Sequence, residues 1–190
     1  MMSESGVSGI FSFAELRYLR MEAMDLFERC LTEGDPKLLE GFVERQISQE
    51  PPRLELLREV AEDLHQRLLD LYSSRYEVRE QVLQILRDEF GVAAKELLPV
   101  NSMKSDQPFY LDDALTMLRQ KNGTLTEADE LLLHKKLDAP LTLEAQMHRD
   151  VLMTEYLYAY VMDWVMGLNA IFTRRYWAAS RYAPLSDWTH

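Results

Sequence analysis

The chain has 190 residues, enough for one sizeable hydrophobic core and short for two domains. Seven glycines and seven prolines are too few for a loop-rich all-β protein, whereas heavy use of Leu, Glu, Arg, Met and Gln favours helix. A formal charge of −11 disfavours contact with nucleic-acid phosphates, and the single cysteine, Cys30, excludes an intramolecular disulfide.

Residues 1–10 are small and polar with two glycines, and they predict a disordered N-terminus ahead of one α-helical domain over 11–190. They contain no basic leader with an apolar run and a cleavage site, which points to the cytoplasm. Ser12-Phe13-Ala14-Glu15 fits a capping box. Leu16, Leu19, Ala23, Leu26 and Cys30 then recur at three- and four-residue steps, predicting a helix to Glu33 in which Cys30 is a small core residue.

Gly34-Asp35-Pro36 reads as a helix stop, an N-cap and a proline at the first helical position. The second helix carries Leu38, Leu39, Phe42, Val43 and Ile47, and Pro51-Pro52 ends it. From Leu54 a heptad register runs through Leu57, Ala61, Leu64, Leu68, Leu71, Arg75, Val78, Val82 and Ile85. Ser73-Ser74 would ordinarily reset the phase of a new helix. The phase survives, so one long helix bent at that point is expected, closed by Gly91, with Arg75 interrupting an otherwise apolar seam.

Residues 92–110 read as a long loop. Asp112 caps a short helix ending at Asn122-Gly123, and Thr126 with Glu127 and Asp129 starts another through Leu137. Paired short helices suggest a helix-turn-helix, but Glu127, Asp129 and Glu130 would lie where phosphates must, which argues against DNA. Asp138-Ala139-Pro140 is expected to break the chain, with Thr142 capping a last long helix that ends by Ala183-Pro184 at the latest and can kink at Gly167. The sum is an all-α, single-domain bundle of about six helices, two of them long.

On a wheel of that last helix Met153, Leu157, Val161, Trp164, Leu168 and Ile171 share a bulky apolar face. Glu144, His148, Glu155 and Asp163 fall opposite, among small residues. Only Glu155 and Asp163 are charged between Val151 and Phe172, which raises the question of a membrane span. Eight strongly apolar residues supply roughly −2.4 to −4.8 kcal/mol, and Asp163 alone costs about 2.5 to 3.5. Glu155 and Asn169 cancel the remainder, so no transmembrane span is expected.

Each internal histidine follows a glutamate by one helical turn: Glu62 with His65, Glu130 with His134, Glu144 with His148. Only the first has the three-residue spacing of carboxylate-bridged dimetal bundles, and exposed Glu/His pairs on acidic helices account for all three. No nucleophile elbow, phosphate loop or zinc knuckle occurs, so no cofactor, no metal and no catalytic residue is assigned.

Residues 1–150 hold 29 acids against 18 bases, and residues 151–190 three of each. Arg174, Arg175, Tyr176, Trp177, Arg181 and Tyr182 mix arginine with large rings, the composition of a protein interface. The reading is a non-catalytic protein-interaction or regulatory module whose partner is another protein or a second copy, with the basic tail of one homodimer subunit docked on an acidic helix of the other. A competing reading is a helical binder of a small ligand or metal whose carboxylate pocket contains His148, Glu155 and Asp163. A weaker one is a peripheral membrane protein.

Overall fold

The computed structural model describes residues 12–90 and 126–168. They form four helices: α1 (Phe13–Glu33), α2 (Lys37–Ile47), α3 (Leu54–Phe90) and α4 (Glu127–Val165). The all-α class is as expected; the described residues hold four helices and do not support the count of about six. The expected short helix from Asp112 lies outside the described residues, as do the N-terminus 1–10, the Gly91 stop and the 92–110 loop. Two further predicted helices are one.

Local chemistry sets the helix ends. Ser12 Oγ accepts from the Glu15 amide at 3.2 Å while Glu15 Oε2 accepts from the Ser12 amide at 3.0 Å, closing the capping box of α1. Gly34 ends α1 in the left-handed region at φ 68°, where a side chain would be strained. The N-cap of α2 is Pro36, one residue later than expected, and Asp35 Oδ1 still accepts from the Lys37 amide at 2.9 Å. α3 passes Ser73-Ser74 without a break, because the seam on either side keeps one phase.

α4 corrects the sequence reading twice. The chain does not break at Asp138-Ala139-Pro140, and Thr142 caps nothing: Pro140 sits inside a helix that starts with Thr126, whose Oγ1 accepts from the Asp129 amide. Proline removes one helical hydrogen bond, a local cost, while Leu133, Leu137 and Leu141 stay on one buried stripe through it. The helix ends at Val165, within the limit set by Ala183-Pro184, and the role of Gly167 is the second correction. Gly167 is neither a kink nor a close approach but a left-handed stop at φ 80°. The Leu168 amide donates back to the Asp163 carbonyl at 2.7 Å and the Gly167 amide to that of Trp164 at 3.1 Å, a Schellman closure.

The chain divides into two compact units, residues 1–68 with 152–190 and residues 69–151. Among the described residues of the first unit, α1, α2, the start of α3 and the end of α4 share one core. Phe27 and Cys30, Leu39 and Phe42, Leu57 and Leu64, and Leu157 and Tyr160 are all sealed in it. Cys30 is the expected core residue, and burial pushes its thiol up to about 11. Met153, Leu157 and Val161 are buried as the wheel predicted, but Leu168 is exposed and Ile171 lies outside the described residues.

In the second unit α3 and α4 are antiparallel neighbours: Lys136 pairs with Glu89 at one end, and Glu144 with Arg75 and Arg79 nearer the other. Val78, Val82 and Leu86 face inward from α3, and Leu133, Leu137, Leu141 and Val151 from α4. The α4 seam advances in three- and four-residue steps through 133, 137, 141, 144, 148 and 151, so Glu144 and His148 occupy core positions. On the helical wheel this stripe lies about 180° from Met153, Leu157 and Val161. The buried side of α4 therefore changes along its length, and the four consecutive residues Val151, Leu152, Met153 and Thr154 are all buried where it does.

Candidate functional site

Arg75 occupies a seam position of α3, where a guanidinium would be costly to bury alone. It is 7% exposed and meets a carboxylate that is completely buried: Arg75 Nε donates to Glu144 Oε1 at 2.8 Å. Arg79, one turn on, donates to the same oxygen at 2.9 Å. Arg75 does not simply interrupt the seam; it completes it with a charge pair. The pair lies on the same inward side of α3 as buried Val78, Val82 and Leu86, and together they fix which side of the helix is turned to the core.

That setting decides what α3 shows on its outer side. Leu69, Tyr72 and Tyr76, spaced i, i+3, i+7, are exposed by 48%, 43% and 60% and fall within about 60° of one another on the wheel. Phe13, Tyr18 and Met21 on α1 are also exposed, but they spread over about 140° and form no stripe. The exposed charges of the segment that carries the α3 stripe have one sign. Between residues 69 and 80 both bases, Arg75 and Arg79, turn inward to Glu144, and the acids Asp70, Glu77 and Glu80 are all exposed. The outer face of this segment is aromatic and anionic.

The residues assigned from sequence fare differently. Arg174, Arg175, Tyr176, Trp177, Arg181 and Tyr182 lie outside the described residues. His148 is buried in the second unit, whereas Glu155 and Asp163 are half-buried on α4 in the first, two turns apart and each with an interaction partner. Glu144 and His148 are not an exposed pair, since the buried side of α4 at that level is the one carrying them. Glu62 and His65 are exposed, as is His134, and His65 stacks at a tilt against Tyr158 with ring centres 5.6 Å apart. Among the described residues no three His, Cys, Asp or Glu side chains gather in a metal-holding group, and no helix is long and apolar enough to cross a membrane.

Sequence reasoning passed over three features of the site. The i, i+3, i+7 spacing of Leu69, Tyr72 and Tyr76 is visible in the chain, but in so leucine-rich a helix it reads as a continuation of the core. Glu40 is buried and accepts from Tyr156 Oη at 2.6 Å. One turn along both helices, Tyr160 Oη donates to Glu44 Oε1 at 3.0 Å, and burial pushes the Tyr160 phenol up to about 12. These rungs fix α2 to α4 within the first core and leave the tyrosine hydroxyls committed to structure.

Comparison of the chain with protein-family models, with curated proteins and with solved structures gives no match. Function has to be argued from the helices and the faces they present.

Proposed function

We propose that the protein is a non-catalytic helical interaction module and that α3 receives a helix of another protein along Leu69, Tyr72 and Tyr76. The observation that carries this reading is the stripe itself: three large side chains, half in solvent, at the spacing one helix uses to seat another. Tyrosines bury much area at small entropic cost and are enriched where proteins meet. The charge pair behind them holds the stripe in place before a partner arrives, which lowers the ordering cost of binding.

Two competing readings draw less support. The residues of the pocket reading, His148, Glu155 and Asp163, each already have an interaction within the chain, which suits a structural role better than a ligand pocket. A membrane surface rich in anionic lipid would be repelled by the acids bordering the stripe.

The test begins with a photo-reactive residue at Ser73 to mark what lies on α3 in cells. The cross-linked protein is then purified and its affinity measured against wild type, the double variant Leu69→Ser/Tyr76→Ser and, as a control, Leu131→Ser on an exposed position of α4. A loss of about tenfold or more in the double variant alone supports the reading. Equal affinity for all three rejects it.

A further inference from the structure

We infer that the helix seated on α3 is basic, with lysine or arginine flanking its apolar anchors. This rests on the reading of α3 as a docking face and adds the chemistry of the partner. The first ground is the division of charge along residues 69–80. The bases of the segment are drawn inward to Glu144, so that within residues 69–80 the exposed charges are acids: Glu80, one turn beyond Tyr76, borders the anchors, and Glu77 lies further round the exposed side. The −11 charge of the whole chain acts in the same direction at longer range and steers cations toward this surface.

The second ground is area. Three side chains about half exposed offer on the order of 300 Å², against the roughly 800 Å² per partner of a stable interface. Two copies pairing stripe to stripe would bury too little and would set Glu77 and Glu80 of one against those of the other. A basic helix adds charge-assisted contacts at the rim, and its cations can lie over the ring of Tyr76, the most exposed of the three side chains.

The experiment uses the full chain and three labelled, amidated peptides of about 18 residues. One has leucines at i, i+3 and i+7 flanked by lysines; the second replaces the lysines with glutamates; the third keeps the lysines and replaces the leucines with serines. Binding is followed by fluorescence anisotropy at about 20 mM and about 500 mM salt. The expected result is that the leucine-lysine peptide binds, that high salt weakens it, and that Tyr76→Ser weakens it about tenfold. Glu77→Lys/Glu80→Lys should transfer the preference to the glutamate peptide.

If the glutamate peptide binds wild type as well as the lysine peptide, and both depend on Tyr76, the docking face stands and its basic partner is wrong. If no peptide's binding depends on Leu69 or Tyr76, the docking face itself is wrong. Sedimentation equilibrium covers the remaining occupant: a dimer that Leu69→Ser/Tyr76→Ser dissociates would make a second copy the partner and overturn the inference.

Discussion

Arg75 donates from Nε to Glu144 Oε1 over 2.8 Å, joining side chains 69 residues apart in sequence that are both withdrawn from solvent. A buried pair of this kind adds little net stability over an apolar pair of the same volume, yet it is expensive to break, because the survivor keeps its charge and loses its counterpart.

Glu144→Ala should therefore destabilise the protein by about 3–5 kcal/mol, read from the midpoint of urea unfolding. The triple change Arg75→Met/Arg79→Met/Glu144→Leu should recover most of that loss. A single Glu144→Ala with wild-type stability would show that the carboxylate is not what keeps Arg75 in the seam.

Leu64→Asp should unfold the first unit. Leu64 is fully buried among Phe27, Leu57 and Leu157, and losing its apolar area while burying an unpaired carboxylate costs several kcal/mol, on the order of a domain's whole stability. Circular dichroism with an unchanged melting temperature would contradict the assignment of this core.

The two tyrosine rungs should separate by burial. Tyr156→Phe takes a donor from the buried Glu40 carboxylate and should cost about 1.5–3 kcal/mol. Tyr160→Phe should cost less than about 1 kcal/mol, because Glu44 is exposed and water replaces the lost donor. Equal costs in denaturant unfolding would mean that exposure does not control the rungs.

Alkaline stability follows from the two raised groups. Cys30, held up to about 11, and Tyr160, held up to about 12, stay protonated in the folded chain after the unfolded chain has begun to ionise near 9 and 10. The folded state then binds more protons than the unfolded one, so stability falls as pH rises. Both contributions are complete below about pH 9 and are lost between there and about pH 12. Cys30→Ala and Tyr160→Phe should each flatten part of that decline in urea titrations at stepped pH. Unchanged slopes in both would remove these groups as its cause.

What could be read from the chain alone was whatever rests on neighbours in sequence. Ser12 and Glu15 bond each other three residues apart, and Gly34 stops a helix by its own lack of a side chain, so α1 was legible at both ends. The phase of α3 was legible for the same reason. α4 was misread at Pro140 because a proline removes one hydrogen bond, and whether a helix survives that depends on burial elsewhere, here at Leu133, Leu137 and Leu141.

The wheel over Met153 to Ile171 puts Glu144 and His148 opposite the apolar face, and it holds for Met153, Leu157 and Val161, whereas Leu168 is exposed. It did not carry back past Val151, where the buried side reverses, and no single period describes a helix that serves two cores. Arg75 is visible in the sequence as the break in a seam. Its partner could not be named, since a charge 69 residues away carries no local signal.

Pro140 has a bearing on how α4 comes apart. It lacks the amide that would donate to the carbonyl of Lys136, so the two stretches either side of it are joined by one rung fewer than elsewhere in the helix. Proline is also well suited to the first turn of a helix, where no donor is required of it. When residues 127–139 unwind, the stretch from Pro140 to Val165 is left with a sound beginning and does not fray from a raw end. Amide exchange along α4 should show two lifetimes divided at this proline: a shorter one upstream, and a longer one running on to the Schellman stop at Gly167.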